Sequence, residues 1–172
     1  MKKSTVIIMW GVITGVVDCV FYQFLNMSDN MNSSLRYISW VLIFAGLLVG
    51  TLQYRKANDG YASFGEGYKA GILMTLIISV IATLGFVIFL QMHPDFMQKM
   101  MDQQRIAMVN RGMTSDQIDK AMGYAKMFTS PGVMIVFSIL GCILTGAIMS
   151  LLSSGIAARN KPLIEDDNTP IQ

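Results

Sequence analysis

Any chemistry in this sequence would start at Asp18. The stretch ITGVVDCVFYQF, Ile13 to Phe24, lies in an apolar run that begins at Thr5, and it carries a carboxylate where a membrane span would hold hydrocarbon. Acids in such places either join helices by hydrogen bonds or carry protons or substrates through the interior. A second candidate is the methionine series that includes Met97, Met100, Met101, Met108 and Met122, preceded by Met92-His93. Thioethers suit Cu(I), and His93 is the chain's single histidine. Methionine is also a flexible gap-filler at adaptable interfaces, and helical spacing scatters these residues. Met97 and Met101 share a face, while Met100 lies to one side. Copper handling is therefore a minor expectation, and no metal or other cofactor is expected.

The remaining chemical groups offer less. Cys19 and Cys142 sit in apolar runs without a CxxC or metal spacing, which fits small hydrophobic filler. A hydrolase inside the membrane would need a nucleophile and a base on one face, and the runs hold one acid and no histidine. No glycine-rich phosphate loop or zinc spacing occurs. The chain is not expected to be an enzyme.

The elements that hold Asp18 follow from composition. Apolar residues make up 53% of the 172 and charged residues only 14%, against about 25% in soluble domains. The net charge of +2 comes without a basic stripe, so nucleic acid is not an expected partner; the lipid bilayer is. Four runs, near 5–26, 35–54, 68–92 and 132–158, match the roughly 20 residues a helix needs to cross hydrocarbon. The second has Tyr37, Trp40 and Tyr54 near its ends, as interfacial aromatics should be. The fold expected is all-α, an integral membrane four-helix bundle forming a single domain over 1–158. MKK before the first run could open a signal peptide. No small-x-small site follows, and Val-Val-Asp before Cys19 does not resemble a lipoprotein box, so an uncleaved span is expected.

Basic flanks set the orientation. Lys2 and Lys3 precede the first span, Arg55, Lys56 and Lys69 border the loop between the second and third, and Arg159 and Lys161 follow the fourth. The loop Met27 to Ser34 has no basic residue. Both termini are thus expected in the cytoplasm of a cell (inner) membrane protein, with 93–130 extracytoplasmic. That outer segment mixes five basic residues with four Asp. The tail 159–172, polar with two prolines and three consecutive acids, reads as disordered.

Two connections carry local signals. Ser63 and Glu66 form a capping box, so the third helix should begin before its apolar run. In the outer segment Pro94 can open a helix that runs to Gly112, a natural residue just past a helix end. Thr114 with Gln117 suggests a second capping box. Ile118, Ala121, Met122, Ala125 and Phe128 then recur at three- and four-residue steps, and Ser130-Pro131 ends the pattern. This predicts an amphipathic helical hairpin, too small to hold a core alone. It must rest on the bundle, on the membrane surface or on another copy.

Close-packing pairs mark the spans: Gly11 with Gly15, Gly46 with Gly50, and Gly67 with Gly71. The fourth span offers Gly141 with Thr145, and Gly146 with Ser150. At about 100° per residue, Asp18 falls within about 20° of Gly11 and about 60° of Gly15, with Tyr22 one turn further along. It should face other helices, about 12 Å from the outer end of its span. Apart from Arg36 and Lys69 at span ends, no Lys or Arg lies inside a span to pair with it, so Asp18 is expected to keep its proton and donate a hydrogen bond. Thr83, Ser138 and Tyr22 are the expected partners.

In order along the chain come YRKANDGYASFGEGYKAG, HPDFMQKMM, RGMTSDQIDKAMGYAKMFTSPG and GCILTGAIMSLLSSGIAARNK. Together they resemble a family of small bacterial membrane proteins, mostly of Bacteroidota, known as domain of unknown function 4199. The likeness covers nearly the whole chain and implies a multi-pass cell-membrane protein. It implies no activity and lends no site residues. His93 stands where the family pattern has an Asn before Pro-Asp-Phe, which argues against a shared histidine site. No family motif includes Asp18, so its role rests on physics alone. The function expected first is that of a non-enzymatic protein that self-associates or binds a membrane-protein partner. The alternative is a small proton-coupled transporter using Asp18.

Overall fold

The computed structural model describes residues 2–27, 34–128 and 130–160. The expected disordered tail lies outside the described residues from 161 onward, as does most of the first loop. Six helices make up the described chain: α1 (Lys3–Met27), α2 (Arg36–Ala57), α3 (Phe64–Met92), α4 (Phe96–Asn110), α5 (Ser115–Phe128) and α6 (Pro131–Ala157). The fold is all-α, and α1, α2, α3 and α6 are each long and apolar enough to cross a membrane.

Local chemistry places several helix ends. α3 starts at Phe64 because Ser63 and Glu66 cap it reciprocally. The Ser63 Oγ accepts from the Glu66 N–H at 3.3 Å, and the Ser63 N–H donates to Glu66 Oε2 at 2.8 Å. Gly112, at φ +75°, supplies the left-handed turn that parts α4 from α5, which no side-chain-bearing residue adopts cheaply. α6 opens on Pro131, whose missing N–H removes a donor that would have no helical partner.

α3 is the hub of the bundle, packed most extensively against α1 and α6. Its buried Ala70, Met74 and Ile78 form one core with Ile43 and Leu47 of α2. In lipid no hydrophobic force drives helices together, so they close where small residues let backbones approach. A Cβ on Gly11 would lie 3.0 Å from the Ile77 Cβ, and one on Gly15 would lie 3.2 Å from the Ile78 backbone. These two glycines seat α1 on α3. Gly46 admits Thr14 of α1, and Gly50 admits Met74 of α3. On the far side of α3, Gly67 and Gly71 face Ser154 and Ser150 of α6, while Gly146 of α6 admits Thr75.

The glycine and serine contacts of α6 fall in its C-terminal half, while in its N-terminal half Cys142 packs on the core and Phe137 meets Phe128 edge-on. At Gly132 and Gly141, in its N-terminal half, an added Cβ would meet nothing within 4 Å. Gly141 is therefore not a packing residue, contrary to the sequence expectation. The small-residue spacing is present there, but α6 stands away from its neighbours at that level. The bundle is interlocked at one end and splayed at the other.

At the interlocked end the loop after α2 is tied to the end of α6. Ala62 and Arg159 exchange backbone hydrogen bonds of 2.9 and 2.8 Å, and the Arg55 Nη1 donates to the Ala157 carbonyl at 3.0 Å. The Arg159 guanidinium lies 5.7 Å above the Tyr61 ring. Lys3, at the start of α1, shares a surface hollow with Tyr61, Ala62 and Arg159, so the basic flanks of all four spans gather at this end.

Close approach sets the outcome of adding a single methyl group. Gly46→Ala should lower stability by about 1–3 kcal/mol, because its Cβ overlaps buried Thr14. Gly155→Ala, which meets open space, should leave it unchanged or raise it by up to about 1 kcal/mol. Thermal midpoints in the same detergent compare the two, and equal midpoints would contradict the α1–α2 contact.

Candidate functional site

Asp18 is buried on the α1 face that carries Gly11, Thr14 and Gly15, at 7% exposure. Its hydrogen-bond partner is Ser39 of α2, itself buried, whose hydroxyl donates to Asp18 Oδ1. Of the three expected partners, Thr83 is turned elsewhere. The Thr83 Oγ1 donates to the Ser79 carbonyl one turn back on its own helix, at 2.7 Å. Ser138 and Tyr22 instead stand with Asp18 around a cavity.

Helix register explains why Ser39 is the partner. Gly46 lies against Thr14 and Gly50 against Trp10, so each step of one turn up α1 is one turn back along α2. The next step brings residue 18 level with about residue 42, within a turn of Ser39. Ser39 is only three residues inside the start of α2, or about 4.5 Å along its axis. Asp18 is nine residues from the end of α1 at Met27, and level with a point about six residues inside α2, so α1 extends about three residues, or roughly 4.5 Å, past the start of α2. The carboxyl is deep in α1, while the serine that binds it lies one turn from the start of α2.

The splayed end of the bundle encloses a cavity of about 680 Å³ at this point. Asp18, Ser39 and Ser138 supply polar groups to its wall, Gly141 supplies open backbone, and Trp40 and Phe137 supply aromatic faces. Met100 of α4 and Phe128 of α5 reach in from the hairpin and form the roof. A second, more polar hollow of about 410 Å³ adjoins it and shares Tyr22, Phe86, Met100 and Met134 with it. That hollow runs beneath α4 past Gln103, Gln104 and Arg111. Spacing alone did not single out Gly85, which admits the Cys19 Sγ and holds α1 to α3 beside the cavity. It belongs to no GxxxG pair, and the only available signal was a lone glycine in the middle of an apolar run.

The soft donors fall into separate groups, and His93 joins neither the α4–α5 cleft nor the Asp18 cavity. Met97, Met101 and Met122 line the cleft between α4 and α5, across which Arg105 and Asp119 pair at 3.9 Å in solvent. Met100 faces the Asp18 cavity. His93 sits in an aromatic corner, stacked on Phe89 at 4.5 Å, and its Nδ1 lies 3.2 Å from the Phe89 carbonyl. Among the described residues no three His, Cys, Asp or Glu side chains converge on a point that could hold a metal ion.

The Asp18–Ser39 bond can be measured directly. A double-mutant cycle of Asp18→Ala and Ser39→Ala, followed by unfolding in mixed micelles, should return a coupling of about 0.6–1.7 kcal/mol, the range for hydrogen bonds between membrane helices. Strict additivity would remove the bond from the account.

No curated protein and no solved structure matches this chain. The sequence profile of DUF4199, described as a protein of unknown function, matches residues 9–159. With nearly the whole chain covered, from α1 to the residue that pairs with Ala62, the protein belongs to the DUF4199 family.

Proposed function

We propose that this is a non-enzymatic, multi-pass protein of the cell (inner) membrane that takes a small molecule into the Asp18 cavity. Both termini lie in the cytoplasm and the hairpin of residues 93–130 lies outside. The observation that carries this reading is the cavity itself. Asp18 is buried almost as fully as Thr14, but Thr14 does not line this cavity. Asp18 instead borders about 680 Å³ of space, within the range of about 300–1,000 Å³ usual for small-molecule sites. It is also the only Asp or Glu in the four spans beyond the first turn of α3, so it is the one acid placed to exchange a proton as a ligand comes and goes. A small proton-coupled transporter is the specific form of this reading. The orientation is supported by the basic residues collected at the interlocked end.

A second reading, self-association or binding of a membrane-protein partner through the hairpin, has its own support. Ile106, Val109, Tyr124 and Met127 are exposed on α4 and α5, outside the spans. Apolar side chains in that position favour a partner, a second copy or the bilayer surface.

Two measurements test these readings. In sealed proteoliposomes, Asp18→Asn should abolish pH-dependent uptake across a small-molecule panel while the protein keeps its elution volume in mild detergent. If the variant instead dissociates and no uptake is seen even for the wild type, association is the function and the carboxyl is packing. For orientation, Ser115→Cys in a background of Cys19→Ser and Cys142→Ser should react with an impermeant maleimide on intact cells, and Lys56→Cys should not. The reverse pattern inverts the topology.

A further inference from the structure

The composition of the cavity wall narrows what it can hold. Among the described residues that line it, one is an acid and none is Lys, Arg or His. Five aromatic residues, Tyr22, Trp40, Phe86, Phe128 and Phe137, line it together with methionines and cysteines. Gln23 also lines it, and its buried side-chain carbonyl Oε1 has no hydrogen-bond partner. Away from water Asp18 gives up its proton only beside a countercharge, and among the described residues no side chain of the wall provides one. Ring faces carry negative potential that attracts cations, and an unpaired carbonyl adds to it. Arg111 lies in the adjoining polar hollow rather than on this wall.

The geometry points to a hydrophobic monocation as the ligand of the Asp18 cavity. This deepens the small-molecule reading above and rests on it. The cation sits against Asp18 in place of a missing basic side chain, its apolar body lies among the rings, and Ser39 holds the carboxyl in position. An anion of the same shape meets the carboxylate and the ring faces with the wrong sign. A neutral molecule of the same shape leaves Asp18 protonated and gains no ion pair from it.

Tetraphenylphosphonium and tetraphenylborate share a shape and differ in the sign of charge, so together they isolate this term. Their binding to the full-length protein in lipid nanodiscs is measured against empty nanodiscs. The expected result is saturable binding of tetraphenylphosphonium at least tenfold tighter than that of tetraphenylborate. Asp18→Asn should remove that preference. Gly141→Leu, which places a side chain in the open space of the wall while keeping Asp18, should weaken phosphonium binding at least tenfold whether or not the Asp18 variant folds. Equal binding of both ions, blocked by Gly141→Leu, overturns the cation assignment and leaves the small-molecule reading standing. Phosphonium binding that survives Gly141→Leu moves the site elsewhere and overturns the inference. Binding of neither ion ends both.

Discussion

Helices in hydrocarbon must satisfy their own backbones, and they approach one another only as closely as their side chains allow. Much of this structure follows from where its small residues fall. Gly46 against Thr14, Gly71 against Ser150 and Gly146 against Thr75 close one half of the bundle. Along α6 no such contact continues toward its N-terminus, where Gly141 and Gly132 face open space. At that level Phe137 and Gly141 of α6 line the cavity instead of meeting a neighbouring backbone. The cavity is the consequence: four helices held at one end and unlike in length at the other cannot all meet.

Polar groups obey the same solvent rule with a different outcome. The hydroxyls of Thr51, Ser79, Thr83 and Ser154 each donate to a carbonyl of their own helix, at 2.6–2.8 Å. A hydroxyl satisfied in this way can be buried against any neighbour. A carboxylate has no donor to turn back on its own backbone, so it needs a group from elsewhere. Ser39 is that group, and it engages one oxygen of the two. Asp18 and Ser39 both line the cavity, which sets this pair apart from the hydroxyls that turn back on their own helices.

The parts of this architecture legible in the sequence were those that depend on one helix at a time. Apolar length marks the spans because a bilayer imposes a single thickness. The Ser63–Glu66 cap and the Gly112 turn are local chemistry, complete within four residues. The burial of Asp18 beside Gly11 follows from helical projection alone. Ser39 could not be found in that way, since a partner on another helix depends on register, and register is set by Thr14 entering Gly46 rather than by depth. A comparison of depths that took in only the third and fourth spans passed over the neighbour joined by the shortest loop. Gly141 shows the converse. Its spacing to Thr145 has the form of a packing motif, but a motif packs only if a second helix arrives, and α6 leans away there. The division of the methionines between the α4–α5 cleft and the cavity roof was partly visible, since Met100 lies off the stripe of Met97 and Met101.

The asymmetry between the two ends bears on how such a cavity could work. At the interlocked end, glycines and serines interdigitate, and the Ala62–Arg159 pair and the Arg55 bond to Ala157 join loop to helix end. Parting that end would expose several close contacts at once and break backbone hydrogen bonds. The roof is a different kind of contact: Met100 and Phe128 meet the cavity through apolar side chains. Entry and exit past the roof therefore need far less rearrangement than passage through the base. A protein that only captures its ligand needs the first motion. A transporter needs both, and the small residues that make the base tight are also those able to slide without breaking side-chain bonds. The same glycine and serine contacts that fix the fold thus set the barrier separating a binding protein from a carrier.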